Sequence, residues 1–354
     1  MATPQPEQLK ELLHKSLGKL ETFPECALLD YPDYPNIGDH LIGLGTILYL
    51  INVQKTKIKY TASPNNFSSK VMEERIGKAP IFLQGGGNLG DLWTAHQKFR
   101  EQIISKYRDR PIIILPQSIY FVEPTNLIEA ANVFNSHPNL TLFVRDEYSY
   151  ELALKYFYNC QVIKAPDMAF QMVNLPGLLS RSNRSNSILY HYRNDKELNQ
   201  SNSQTSIDLP NLVVEDWTSF KYDTTERMER IREGLQKGTV IPGEWIYRHL
   251  WKYFHHYSFG FNSLYNSSMH LKSLSYMHHG MYQFKQHRLI ITNRLHGHIL
   301  CILMGIPHVF LPNAYHKNEA FYQAWTYSIP FCRFVKESSQ IQVAAQELLE
   351  LFPN

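Results

Sequence analysis

Cysteine is scarce in this chain, with four among 354 residues, at Cys26, Cys160, Cys301 and Cys332. They lie far apart and form no Cys-x-x-Cys pair. That argues against a zinc knuckle or a disulfide scaffold and fits a reduced, cytoplasmic protein. Runs of like charge are missing too. No block of five Lys or Arg occurs and the formal net charge is +3, too mild to point to nucleic acid. There is no membrane-length apolar run. The longest apolar stretch, residues 299–311, is interrupted by Gly305 and Pro307 and is too short to cross a bilayer. No signal peptide is visible. Residues 1–20 are polar and charged, with Leu9, Leu12, Leu13, Leu17 and Leu20 at helical spacing, an amphipathic helix that leaves peripheral contact with the inner face of a membrane open. Internal repeats and low-complexity tracts are absent.

What is there is globular. Hydrophobic residues make up 44% and charged residues 19% of the chain, and the length suits two domains of about 150–180 residues each. Aromatics reach 13%, with 22 Tyr; rings suit a sugar or planar-ligand site, but extra core and interface packing is the favoured reading. Short apolar strands at residues 27–30, 57–60, 80–84, 111–115, 142–144 and 161–164 alternate with helices at 39–51, 68–76, 92–107 and 147–156. Residues 178–187 (LLSRSNRSNS) read as a linker. A second series follows, with strands at 188–192, 212–214, 289–292 and 308–310 and helices at 225–236, 295–304, 318–325 and 339–351. The polar residues 196–206 read as a surface loop. The expectation is an α/β protein of two Rossmann-like domains facing across a cleft, residues 1–180 and 186–338, with the helix in 339–354 a candidate to pack back on the first.

Ligands in such sheets sit beyond the carboxyl ends of the strands, so the motifs there carry the functional reading. Asn36-Ile37-Gly38-Asp39-His40 opens a helix after the first strand. Its Asn, Gly and Asp are turn and cap formers, but they also put backbone N–H groups and Asp39 at the cleft. Gly85-Gly86-Gly87-Asn88-Leu89-Gly90 matches G-x-G-x-x-G, yet it follows the third strand and no carboxylate ends a strand about 20 residues later. A nicotinamide or flavin site is therefore disfavoured, and glycines that let a substrate approach the backbone at Gly86, Gly87 and Asn88 are the better reading. Gln117 and Ser118 could bond hydroxyls or form a plain turn. In Val144-Arg145-Asp146-Glu147, Asp146 reads as a cap and Arg145 as an ion-pair partner. Arg193, after Tyr190-His191-Tyr192, offers a guanidinium fork for a carboxylate or phosphate.

Thr292-Asn293-Arg294-Leu295-His296-Gly297 is the densest signal. A helix N-terminus with free N–H groups, its positive dipole end, the Arg294 fork and His296 meet within a few residues, which suits an anion. The remaining histidines, at 249, 255, 256, 270, 278, 279 and 287, match no metal-binding spacing with a supporting carboxylate. They read as solvated or hydrogen-bonded, and no metal or organic cofactor is expected.

With these motifs in view, the sequence resembles the polysaccharide pyruvyl transferase family. The markers are Asn36-Ile37-Gly38-Asp39, Gly85-Gly86-Gly87-Asn88, Arg145-Asp146, Ala165-Pro166-Asp167 and Asn293-Arg294-Leu295-His296-Gly297. The resemblance implies a fold similar to GT-B glycosyltransferases and transfer of the pyruvyl group of phosphoenolpyruvate to two sugar hydroxyls, giving a ketal and phosphate. It implies phosphoenolpyruvate contacts at Arg294, the backbone of Leu295 and His296, with Arg193 as a further arginine and a sugar or lipid-linked oligosaccharide as acceptor. The chemistry then asks His296 to be the general acid and Asp39 the base. Two rivals stay open, a GT-B glycosyltransferase using a nucleotide sugar and a non-catalytic sugar- or nucleotide-binding protein. Oligomeric state is not legible.

Overall fold

The computed structural model describes residues 6–175, 185–193, 197–198, 207–217 and 242–353. The expected helix at 225–236, most of the 178–187 linker and most of the 196–206 loop lie outside the described residues. In the first half, strands β1 (Glu25–Leu29), β3 (Ile81–Leu83), β5 (Ile112–Tyr120) and β6 (Leu140–Val144) are buried along almost their whole length. Strands β2 (Lys57–Ala62), β4 (Gly86–Gly90) and β7 (Gln161–Lys164) complete a seven-stranded sheet in the order β2-β1-β3-β5-β6-β7, with β4 also paired to β5. Every pairing is parallel. Parallel strands with both faces covered need unbroken apolar runs, which is why these read so plainly in the sequence. The alternating, partly exposed β2 lies at the edge.

The second sheet has five parallel strands in the order β12-β11-β10-β8-β9. They are β8 (Ser185–His191), β9 (Leu212–Glu215), β10 (His287–Thr292), β11 (His308–Phe310) and β12 (Cys332–Phe334). The described residues form eleven α-helices. These are α1 (Pro6–Leu17), α2 (Ile37–Asn52), α3 (Ser69–Ile76), α4 (Thr94–Lys106), α5 (Pro124–Ser136), α6 (Glu147–Tyr156), α7 (Pro242–Ser258), α8 (Ser267–Lys285), α9 (Leu295–Met304), α10 (Lys317–Phe321) and α11 (Ile341–Leu351).

Helix α2 is apolar all round and almost wholly buried, the mark of a helix with no solvent face. It packs against the short 3-10 helix Met168–Met172, α8 and α9. One hydrophobic cluster consequently runs from Leu28 and Ile113 of the first sheet through Ile42 and Ile47 of α2 to Leu189 and Ile290 of the second.

Several expectations need correction. The terminal helix α11 does not turn back to the first half. Ile341, Ala344, Ala345 and Leu348 bury against Ile188, Leu289 and Val309 of the second sheet, because that face of the sheet is otherwise uncovered apolar surface. Most leucines of α1 are not displayed to a membrane either: Leu9, Leu13 and Leu17 are buried in the core, and Leu12 is the exposed one. The histidines of α7 and α8 are not solvated. His255, His256, His270, His278 and His279 are all buried; His255 and His256 are hydrogen-bonded to backbone carbonyls, as the alternative reading allowed, and burial pushes His270 and His278 down to about 3, so those two are neutral rings.

Candidate functional site

A cavity of about 370 Å³ lies at the carboxyl ends of strands from both sheets, lined by Tyr34, Asn36, Asp39, Asn88, Trp93, His96 and Arg145 from the first half and by Arg193, Glu197, Trp217, Arg294, Leu295, His296 and Lys317 from the second. The α2 entrance is built by its cap. Asn36 Oδ1 accepts from the Gly38 N–H at 3.0 Å, and Asn36 Nδ2 donates to Asp39 Oδ2 at 2.7 Å, beside a 2.9 Å bond from the Tyr34 hydroxyl. Gln84 Nε2 donates to the Asp39 carbonyl at 2.9 Å. The helix start and the Asp39 carboxylate are thus fixed together.

Gly38 has a further reason to be glycine. A β-carbon there would overlap the His296 imidazole, so the ring rests directly on the α2 backbone. On the other side, His296 Nε2 lies 3.5 Å from Asp167 Oδ2. Burial alone would raise the Asp167 carboxyl, but the Arg145 guanidinium and His296 hold it well below the usual carboxylate range. Arg145 is buried, ion-paired to Asp167, and donates through Nε to Ser118 Oγ at 3.0 Å. His296 is therefore clamped between two elements of the first half although it belongs to the second.

The α9 turn is braced from behind. Thr292 Oγ1 accepts from the Arg294 N–H at 3.1 Å and meets His191 Nδ1 at 3.0 Å. Burial first, then Arg294 and Arg193, press His191 well below its ordinary pKa, so it is a neutral strut. A side chain at Gly297 would strike Thr292 Oγ1 at 2.5 Å and His191. Asn293 is not a helix cap: its Oδ1 accepts from the Arg193 N–H at 2.9 Å, and its carbonyl accepts from Asn318 Nδ2 at 2.8 Å. No side chain caps α9, which leaves its first N–H groups for a ligand at the cavity.

Four cations line the cavity, each with a carboxylate. Arg294 grips Asp216 through both fork nitrogens, at 2.5 and 2.6 Å. Arg193 Nη1 bonds Glu197 Oε2 at 2.7 Å, and Lys317 pairs with the same carboxylate. Burial would raise Glu197, yet Lys317 and Arg193 bring it down to about 2. Burial also lowers Lys317 to about 8, against the pull of Glu197. A multiply charged anion entering here meets cations already in place.

Of the residues singled out from sequence, Asp39, Asn88, Arg193, Arg294, Leu295 and His296 line one cavity with Gly87, while Gly86 and Asn293 stand behind its wall. Gly86 to Gly90 form strand β4, with Gly86 at φ +141° and Gly90 at φ +135°. A β-carbon at Gly90 would strike the Tyr120 carbonyl of the neighbouring strand, whereas one at Gly87 would meet the Arg145 and Lys317 side chains at the cavity. Asn88 Oδ1 is taken by buried Arg100. Gln117 and Ser118 are spent internally, on the Gln84 carbonyl and on Arg145. Sequence reading passed over Trp93, His96, Glu197, Asp216, Trp217 and Lys317, and favoured a structural role for Arg145. Arg145, Asp167 and Asp216 each directly follow a strand or its turn, so the strand-end rule held the signal for them. Trp93 and Glu197 carry none.

Residues 36–315 match the family described as Polysaccharide pyruvyl transferase. The chain is 29% identical over 337 residues to "Putative pyruvyl transferase EpsO" of Bacillus subtilis (strain 168), covering 93% of this chain and 95% of that protein. It is 26% identical over 317 residues to "Pyruvyl transferase 1" of Schizosaccharomyces pombe, covering 85% and 69% respectively. A crystal structure of a functionally uncharacterized Klebsiella pneumoniae protein matches with a TM-score of 0.56 at 18% identity, over 95% of this chain and 100% of that one, a likeness of fold.

Proposed function

The chain belongs to the polysaccharide pyruvyl transferase family, and from that premise we propose that it moves the pyruvyl group of phosphoenolpyruvate onto two hydroxyls of a sugar in an exopolysaccharide or cell-surface glycan, forming a pyruvate ketal and releasing phosphate. The observation that carries this reading is the convergence of Arg145, Arg193, Arg294 and Lys317 with the uncapped start of α9 on one cavity. Phosphoenolpyruvate brings a carboxylate and a phosphate, and paired guanidinium forks plus free backbone N–H groups are the donors such oxygens need. The reading takes the two sheets as two Rossmann-like, GT-B-like domains facing across the cavity, in a cytoplasmic protein.

The first acceptor hydroxyl adds to the carbon bearing phosphate while the methylene carbon takes a proton and becomes methyl. With Nε2 turned to Asp167, His296 delivers that proton from its other nitrogen, next to Gly38. Asp39, held by Tyr34 and Asn36, receives the hydroxyl proton. Phosphate then leaves, stabilised by the arginines and Lys317. The second hydroxyl attacks the same carbon, losing its proton to phosphate or solvent. Trp93 and Trp217 offer ring faces to the acceptor sugar. None of these steps calls on a metal or organic cofactor.

The test is incubation with phosphoenolpyruvate and a panel of glycosides, free and lipid-linked. The expected outcome is phosphate release with a mass gain matching pyruvate. Release of nucleotide from a nucleotide sugar, with phosphoenolpyruvate inert, would instead make it a glycosyltransferase. No turnover of either donor would leave a binding protein.

A further inference from the structure

Among the described residues, one cluster of metal-ligating side chains converges in the core of the second half, away from the cavity. His298 comes from α9, His308 opens β11 and Cys332 opens β12. His308 and Cys332 are register partners on adjacent parallel strands, so both point to the same face of the sheet. Helix α9 covers that face and brings His298 Nδ1 to 2.7 Å from His308 Nε2 and 3.7 Å from Cys332 Sγ. The three ligand atoms all lie within 4.8 Å of one another. The three residues are 0%, 0% and 2% exposed.

Apolar side chains would cost less at such a depth. What singles the cluster out is the way its rings are held from behind. His308 Nδ1 donates to the Ile306 carbonyl at 2.9 Å, which turns the Nε2 lone pair inward. His298 Nε2 meets Thr326 Oγ1 at 2.9 Å, a hydroxyl that can accept as well as donate. An outer nitrogen anchored on the protein and an inner one aimed at a shared point is how metal-bound imidazoles are oriented. Burial lowers His308 to about 4, and burial with His308 alongside holds His298 well below its ordinary range, so both rings are neutral, the form that ligates. Bonds of about 2.0–2.1 Å to nitrogen and 2.3 Å to sulfur place ligand atoms about 3.5–3.8 Å apart for N and S and about 3.3–3.6 Å apart for N and N. The sulfur already stands in that range, and the rings need to part by less than about 1 Å.

We infer that His298, His308 and Cys332 form a structural site for one thiophilic ion with a filled d shell, zinc(II) or copper(I), which clips α9 to β11 and β12. Binding forms two nitrogen–metal bonds and one sulfur–metal bond. The Cys332 thiol proton leaves to solvent, and the His298 ring proton shifts from Nδ1 to Nε2, where Thr326 Oγ1 accepts it. No electron is transferred. With one thiolate, copper(I) makes an uncharged three-coordinate centre; zinc(II) reaches the same neutrality with hydroxide as a fourth ligand. Helix α9 starts at Leu295 and His296 on the cavity wall, so the clip steadies that turn from behind.

The experiment is metal analysis of the full chain, purified with a non-thiol reductant, then anaerobic titration of the chelator-stripped protein with zinc(II) and, separately, copper(I). The expected result is about one equivalent of ion per chain and a Tm raised by about 5 °C at saturation. The tighter-binding ion names the occupant. Cobalt(II) should give a sulfur-to-metal charge-transfer band that Cys332→Ser, a substitution of similar shape, abolishes. Thr326→Val leaves all three ligands in place and removes only the partner of His298 Nε2, so it should weaken binding about tenfold to a hundredfold. No stoichiometric binding of either ion, with an unmoved Tm, overturns the inference and leaves a hydrogen-bonded histidine pair. Equal binding by the wild type and Cys332→Ser overturns it as well. Neither substrate is present in these measurements, so their outcome is separate from that of the proposed reaction.

Discussion

On the first-half wall of the cavity, Arg145 meets Asp167 where the two side chains are 1% and 0% exposed. On the second-half wall, Arg294 meets Asp216 with exposures of 10% and 30%. Both are Arg–carboxylate pairs at a strand end, yet they do different work. The buried pair cannot part without stranding a charge away from water, so it is a fixed piece of the scaffold against which His296 is registered. The second pair reaches solvent on the Asp216 side, so Arg294 can exchange one anion for another at small cost. One wall sets geometry, the other adapts to a ligand. The continuous apolar cluster through α2 ties them into one body.

The sharpest way to break this contrast is Asp167→Ala. Removing one partner of a buried pair should cost about 3–5 kcal/mol of stability, visible as a large fall in Tm, whereas Asp216→Ala should stay within about 1 kcal/mol. Adding Arg145→Met to Asp167→Ala should restore most of the lost stability without restoring activity. Equal Tm losses for the two carboxylate variants would erase the distinction between the walls. Next in size is Gly38→Ala. The new methyl overlaps the His296 ring and its Cβ; misplacing a reacting group by about 1 Å costs on the order of a hundredfold in kcat, with a stability loss of about 1–3 kcal/mol from overpacking.

Arg294→Ala should act on binding. Its loss removes charge-assisted bonds worth about 1.5–3 kcal/mol, so KM for phosphoenolpyruvate rises about tenfold to a hundredfold while kcat changes by a few-fold at most. A fall in kcat at unchanged KM would place Arg294 in the scaffold class with Arg145. The smallest effect belongs to Lys317. Its pKa is lowered to about 8 by burial, so it is charged below that pH and loses its proton as pH rises through it. The kcat/KM for phosphoenolpyruvate should therefore be level from about pH 7, where the phosphate is already largely dianionic, and fall above about pH 8. Lys317→Arg should move that fall upward, and an unmoved profile would assign it to another group.

The strands were legible because parallel strands buried on both faces demand apolar runs such as Ile112 to Leu115. The α9 turn was legible because polar residues interrupt two apolar elements there. The edges of legibility have physical causes. Helices α7 and α8 were hidden because their histidines look polar in sequence but are mostly buried. Strand β4 was hidden because its glycines imitate a phosphate loop. Glu197, Asp216 and Lys317 belong to the site only through contacts across separated segments, which no local pattern records. Gly38 read as a turn former, and its partner His296 is far away in sequence. Arg145 illustrates a subtler gap, since its ion-pair role was readable but its face on the cavity was not.

The proposed proton donor is His296, held between Gly38 and Asp167. The direct measurement is a single-turnover reaction in deuterated water, with saturating phosphoenolpyruvate and a glycoside acceptor, for the wild type and His296→Gln. The prediction is one solvent deuterium in the ketal methyl group of the wild-type product. His296→Gln should bind phosphoenolpyruvate within a few-fold of wild type yet release phosphate about a hundredfold or more slowly. A His296→Gln rate within about a factor of two of wild type would contradict it.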